Sequence, residues 1–197
     1  MTLDPHATAL LVMDYQAGVV ANVADGEALV ARTAGAIATV REHGGHVGYV
    51  RVAFTEADYA NVPASNVLFA RLLESRRMDD GDPGTAVPAE LAPGPDDIVV
   101  RKVRVGAFST TDLDARLRER GVTTLVLAGI ATSGVVLSTL RDAADRDYRL
   151  FVLEDCCADR DPEVHDVLLH KVFPRQAEII TAAELPGLLS GAPRTTS

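Results

Sequence analysis

Three places in this chain of 197 residues combine reactive side chains with backbone of the kind that presents them. Asp14 closes the apolar run Ala9 to Met13, and Lys102 closes the run that begins at Ile98. In the third, the apolar run from Leu125 gives way to Gly129-Ile130-Ala131-Thr132-Ser133-Gly134-Val135, followed by an amphipathic segment that continues to Asp147. A carboxyl group held beside an ammonium group is an acid-base pair: the cation favours the carboxylate, burial favours the carboxylic acid, and the balance tunes the proton for transfer. The third stretch reads as a buried strand, a tight turn and a helix start, whose free N–H groups attract a carboxylate or a developing oxyanion. Taken singly, Asp14 also suits a strand-end turn and Lys102 a solvated strand end. Their recurrence at strand ends argues for a shared site.

For these groups to meet, the runs that carry them must be neighbouring parallel strands whose carboxyl ends form one rim. Short apolar runs at 9–13, 46–54, 98–102, 125–130, 149–154 and 177–181 read as such strands, covered on both faces. They alternate with helical patterns at 27–43, 67–75, 112–120, the segment after the turn, 162–172 and 182–189. In the first of these, Leu29, Val30, Ala34, Ile37 and Val40 share a face, and Gly44-Gly45 stops the helix. The expected fold is α/β, a three-layer αβα arrangement that is doubly wound and Rossmann-like, with about six mainly parallel strands. Residues 55–66 read as a polar loop, and the Asp-, Gly- and Pro-rich stretch 79–97 as irregular; a long loop in a compact domain is commonly functional. No repeat divides the chain, so residues 1–190 are expected to form one domain, with 191–197 as a frayed tail.

The same residues carry a family resemblance. Asp14-Tyr15-Gln16 resembles a D-x-Q motif, Lys102 with Ala107-Phe108 resembles a lysine preceding A-F-x-x-T-x-L, and Gly129 to Val136 resembles G-x-x-T-x-x-C-V. Together, in this order, they resemble the isochorismatase-like cysteine hydrolases. The resemblance implies an aspartate base, a lysine that favours the charged forms, and a cysteine nucleophile. Val135 occupies the cysteine position, and valine has no atom with which to form an acyl intermediate. The resemblance therefore points to the isochorismatase branch, whose members also lack the cysteine and hydrolyse a vinyl ether with the aspartate as acid. A glycine stands there in that branch, so the bulk of Val135 implies a different substrate, smaller or more apolar at that point.

On this resemblance Asp14 and Lys102 are the catalytic residues. Gln16, Arg104, Phe108, Ala131, Thr132, Ser133, Gly134 and Val135 are the expected substrate-binding residues, while Thr132 and Ser133 also suit helix caps. Arg101, Lys102 and Arg104 concentrate positive charge, which suits a carboxylate-bearing substrate, and alternation puts Lys102 and Arg104 on one side. Relatives assemble as dimers or tetramers, so a homo-oligomer is implied, with the apolar segment Val67 to Leu73 as core or interface. Two rival readings stand beside this one. One is an inactive member that binds a small acid or serves as an oligomer subunit. The other is a Ser133 nucleophile with Asp155 or Asp159 and His165, although Ala131 and Val135 fill places where the G-x-S-x-G elbow needs glycine.

A net charge of −9 without basic runs argues against nucleic acid or an anionic membrane as partner, leaving a small molecule. The start Met1-Thr2-Leu3-Asp4-Pro5-His6 lacks the basic and apolar segments of a signal peptide, and no apolar run is long enough to span a membrane; a cytoplasmic location is expected. Cys156 and Cys157 are adjacent and suit reduced thiols packed in a loop after a strand. The five histidines show no metal-ligand spacing, and Arg51-Val52-Ala53-Phe54 stands where nicotinamidase-like relatives carry a histidine-rich metal motif. No nucleotide-binding glycine motif is present, so no metal and no cofactor are expected.

Overall fold

The computed structural model describes residues 2–76 and 78–190, apart from the side chains of 73–75; the expected tail 191–197 lies outside the described residues. Its strands are β1 (Thr8–Met13), β2 (His46–Val52), β3 (Ile98–Lys102), β4 (Thr124–Ile130), β5 (Arg149–Ala158) and β6 (Glu178–Ile180). All neighbours pair in parallel, in the order β3-β2-β1-β4-β5-β6. The chain builds outward from β1 to β3, then returns to the other side of β1 to lay down β4. The switch point therefore lies between β1 and β4, where open α/β sheets bind ligands at the carboxyl ends of their strands.

The four central strands, β2, β1, β4 and β5, are largely buried on both faces, which is why they read as apolar runs. In β1, Leu10 and Val12 face a core shared with α2 (Gly26–Glu42) and α8 (Leu185–Leu189). Ala9, Leu11 and Met13 face the opposite core, built with α5 (Leu113–Glu119), α6 (Leu137–Asp145) and the segment 168–173. Three layers result, as the alternation of strands and helices requires. A third, smaller cluster of Val52, Phe54, Val62 and Phe69 seats α4 (Val67–Ser75).

The departures from the expected pattern fall on short or irregular pieces. Two brief helices, α1 (Ala17–Val20) and α3 (Glu56–Ala60), fall outside the expected elements. A capping box starts α3: the Asp58 N–H donates to Thr55 Oγ1 at 3.3 Å, and the Thr55 N–H donates to Asp58 Oδ2 at 2.9 Å. The helix expected over 162–172 is helical throughout but changes winding, α in α7 (Pro162–Val167) and π over Leu168–Val172. β5 runs on to Ala158, with a bulge: Leu127 pairs with Val152, but Gly129 pairs with Cys157. Cys156 and Cys157 are thus strand residues and not loop residues, and their thiols enter opposite cores. Among the described residues, no helix is long and apolar enough to cross a membrane.

Candidate active site

Asp14 follows β1 directly and takes a left-handed backbone conformation, φ 57°, which aspartate tolerates better than most residues. Its N–H donates to Val50 O at 2.8 Å, so the chain is pinned to β2 as it leaves the sheet. Lys102 lies two strands away at the end of β3, and its long stem crosses the end of β2. Its Nζ stands 2.8 Å from Asp14 Oδ2, with side-chain exposures of 2% and 9%. The ammonium also donates to Arg104 O at 3.2 Å and Val105 O at 2.9 Å, so three acceptors meet its three N–H groups. Asp14 Oδ1 is buried and, among the described residues, has no partner. Burial pushes the Asp14 carboxyl above its ordinary range, and Lys102 opposes that rise without cancelling it.

The turn after β4 is held against β1 by the lack of a side chain at Gly129. A Cβ there would lie 2.9 Å from Val136 Cγ2 and 3.2 Å from both Cβ and O of Met13. Beyond it the backbone forms a π-turn over Thr132–Val136, and neither Thr132 nor Ser133 acts as a side-chain cap. The Ser133 N–H donates to Asp159 Oδ2 at 2.7 Å, and the Gly134 N–H to Ala131 O at 3.1 Å. Burial raises the Asp159 carboxyl, but bonds from Ser133 and neighbouring backbone outweigh it and hold the group below its ordinary value. The turn's N–H at Ser133 is therefore already occupied by a carboxylate of the chain itself.

Several expected contacts take other roles. Gln16 is fully buried: its Oε1 accepts from the Val52 N–H at 2.8 Å, while Nε2 donates to Val52 O at 2.8 Å and Thr85 O at 3.0 Å. It ties β2 to the turn at Pro83–Thr85, so both ends of the amide expected at the substrate are engaged within the chain. Phe108 stacks on Tyr148 with centroids 6.2 Å apart, inside the core, so it is a packing residue. Backbone extension ends at Lys102; Arg104 then donates to its neighbour Val103 O at 2.6 Å and lies 5.6 Å from the Phe69 ring centroid, away from the alternation expected of it.

Thr132 is buried, with Oγ1 2.8 Å from His165 Nδ1, and Val135 packs in the core with Phe108. Of the stretch 131–135, Ala131 and Ser133 line an open cleft. The geometry does not assemble a serine relay: His165 meets Thr132 instead of Ser133, and Asp159 engages Ser133 directly with no imidazole between them. Burial pushes the Cys156 thiol to about 11 and Cys157 higher, which suits inert core thiols. Among the described residues no three His, Cys, Asp or Glu side chains gather as a metal site.

One residue that the sequence reading passed over is Arg160. It lines a cleft of about 350 Å³ with Ala131, Ser133 and Asp159 on one side and Val19 and Met78 on the other. Among the described residues its guanidinium engages no acceptor. The signal for it was position, just past the carboxyl end of β5, but that end was expected several residues earlier.

Known proteins share this architecture. Residues 8–184 match the isochorismatase domain. The chain is 32% identical over 191 residues to the isochorismatase family protein YecD of Escherichia coli O157:H7, covering 94% of this chain and 97% of that one. It is 35% identical over 184 residues to the ureidoacrylate amidohydrolase RutB of Methylobacterium radiotolerans, covering 83% of this chain and 71% of the relative. Among solved structures, the cysteine hydrolase of Pseudomonas syringae pv. phaseolicola superposes with a TM-score of 0.86 at 25% identity, covering 96% of this chain and 95% of the other. A domain match that begins at β1 and runs past β6, on the doubly wound sheet just described, establishes that the chain belongs to the isochorismatase family of hydrolases.

Proposed function

We propose that this chain hydrolyses a small, carboxylate-bearing molecule by acid-base chemistry at Asp14 and Lys102, without a covalent cysteine intermediate. The observation that carries this reading is the Asp14 carboxyl, with Oδ2 on Lys102 and Oδ1 buried without a partner among the described residues. Leaving a buried acceptor unsatisfied costs about 1–3 kcal/mol, which a donor brought by substrate or water would recover. Burial favours the protonated acid, so Asp14 is suited to give a proton away.

With a vinyl ether, Asp14 delivers its proton to the terminal vinyl carbon as the ether oxygen shares a lone pair, leaving an oxocarbenium ion and a carboxylate. Lys102 stabilises that carboxylate. Water adds to the oxygen-bearing carbon, its surplus proton returns to Asp14, and the hemiketal collapses to an alcohol and a carbonyl compound. We assign the carboxylate-binding role expected of Arg104 to Arg160, because it lines the cleft and, among the described residues, its guanidinium engages no acceptor. The names of two relatives, ureidoacrylate and maleamate amidohydrolase, bring amides into the range of substrates to be tried. The working unit we propose is residues 1–190 as one domain, cytoplasmic and free of cofactor, in a homo-oligomer (dimer or tetramer). The exposure of Val67 and Leu68 on α4, 62% and 54%, supports the oligomer, and sedimentation velocity tests it.

The test of the chemistry is turnover of vinyl ethers, isochorismate among them, and of small amides, by wild type and Asp14→Asn. Turnover lost in the variant while ligand binding persists supports the reading; turnover retained refutes it. Val135, buried in the core at the position where the resembling cysteine hydrolases carry their nucleophile, supports a second reading as a binding protein. Binding of small acids with no turnover by either form would establish that one.

A further inference from the structure

We infer that the cleft continues past Arg160 into a second chamber that accepts an uncharged apolar arm of the substrate, so that the ligand is a branched acid whose carboxylate lies between its reacting group and that arm. This rests on the function proposed above and narrows its substrate class.

Two cavities of about 350 and 460 Å³ share Gly18, Asn22, Met78 and Arg160 as lining residues. They adjoin as two chambers of one cleft, and Arg160 borders both. The nearer chamber reaches the turn through Ala131 and Ser133; the farther one is lined by Leu72, Met78, Asp82 and Gly84. Its floor depends on two glycines: a Cβ at Gly18 would lie 3.1 Å from Gly84 O, so α1 and the turn at 83–85 approach as backbone against backbone.

Leu72 and Met78 offer apolar surface to a chain passing Arg160, and Asp82 sets the sign at the far end. Its Oδ1 accepts from the Gly84 N–H at 2.6 Å, which holds the carboxylate in place and disfavours a second anionic group there. The chamber is also preformed. The segment that supplies its wall is tied to the strand ends by Arg51–Asp80 at 2.6 Å, and α3 is tied to β3 by Arg101–Asp58 at 2.7 Å. A ligand then loses little by ordering that wall.

The experiment is calorimetric titration of the whole chain with glycolate, 2-hydroxybutanoate and 2-hydroxyhexanoate, and with malate, whose arm is anionic. Each methylene should tighten binding by up to about 3- to 4-fold until the chamber is full. Malate should bind about 10-fold or more weakly than 2-hydroxybutanoate. Leu72→Trp, which lies in the farther chamber only, should flatten the chain-length series, and Asp82→Asn should narrow the penalty on malate, with thermal melts confirming that both variants fold. A flat series in wild type, malate bound as tightly as its uncharged counterpart, or no binding of any acid at millimolar concentration overturns the inference. Repeating the series on Asp14→Asn separates the two readings. Chain-length dependence retained beside undiminished turnover would sink the proposed chemistry and leave the chamber standing; a flat series beside lost turnover would do the reverse.

Discussion

Replacing Lys102 by methionine keeps most of the buried stem and deletes the charge, so it isolates what the ammonium does for Asp14. Part of the cost does not depend on pH: Arg104 O and Val105 O lose their donor, at about 1 kcal/mol each or less. The rest depends on the ionisation of Asp14. The pair is nearly dry, with side-chain exposures of 2% and 9%, and removing one partner of such a pair costs about 3–5 kcal/mol while the other stays charged. Burial already pushes the Asp14 carboxyl up and Lys102 holds it down, so in the variant it rises further. Below the wild-type folded value both proteins carry a protonated Asp14, and only the hydrogen-bond part separates them. Between the two folded values wild type is ionised and the variant is not, so the difference grows by about 1.4 kcal/mol per pH unit and then levels off. Against the unfolded chain, each raised carboxyl adds stability that is complete below the ordinary carboxylate range and lost as pH rises through its folded value. The variant loses it over the longer span. Urea unfolding followed by circular dichroism, from about pH 5 to about pH 9, measures this directly. The expected difference climbs with pH from about 1–2 toward about 4–5 kcal/mol. A difference that is flat, or that shrinks toward high pH, refutes the coupling.

Gln16→Leu should destabilise by about 2–4 kcal/mol, because Val52 loses a partner at both N–H and O and Thr85 O loses its own. Thermal unfolding checks this, and a variant as stable as wild type would show that the amide is not a strut. Gly129→Ala should cost about 1–3 kcal/mol and slow turnover, since the new Cβ meets Val136 and the Met13 backbone; an unchanged melting temperature with full activity would show that the turn has slack. Cys156, its thiol pushed to about 11, should be on the order of 0.1% thiolate at pH 8, and Cys157 less. Iodoacetamide should therefore label neither until the protein is unfolded, and stoichiometric labelling of the native chain within minutes would contradict the burial described.

What the sequence made legible follows from which physical signal each part emits. β3 and α4 match the expected bounds at both ends, because a short β-branched run between polar, Gly- and Pro-rich stretches and a one-sided helix each leave a strong signal. α1 and α3, at four and five residues, are too short to show one, although Thr55 and Asp58 carried a readable capping box. β5 was hidden by Glu154 and Asp155, which interrupt its apolar run. The strand continues there because Asp155 Oδ1 accepts from the Ala182 N–H at 2.9 Å and Asp155 O from Arg32 at 2.9 Å, so its polar atoms are satisfied at the bulge. Asp14 and Lys102 were legible because strand ends converge by topology alone. Gln16 and Phe108 were not, since a motif fixes which residue is present and not which way its side chain turns. Arg160 depended on the unforeseen end of β5.

Under the proposed function, the occupied turn and the Asp14 oxygen that has no partner among the described residues predict the sign of the pH dependence. An amidase of this architecture would need a nucleophile at the turn and an ionised Asp14 to take its proton, so its activity would rise as pH climbs through the Asp14 value. In this chain Val135 cannot attack, and the Ser133 N–H is held by Asp159. The acid chemistry proposed above then acts at Asp14 Oδ1, which is buried without a partner among the described residues, on a carboxyl that burial biases toward its protonated form. A general acid works only while it holds its proton, so kcat/KM should be highest on the acid side and fall about tenfold per pH unit once pH exceeds the raised Asp14 value. On the proposed chemistry Lys102 stabilises the carboxylate left after each delivery, so it should set where the fall begins. Measuring kcat/KM against pH for wild type and Lys102→Met tests both parts. In the variant the fall should begin at higher pH, because Asp14 keeps its proton longer, while the maximum drops for lack of charge stabilisation. A profile that rises with pH would make Asp14 a base and return the search for the attacking group to water beside it.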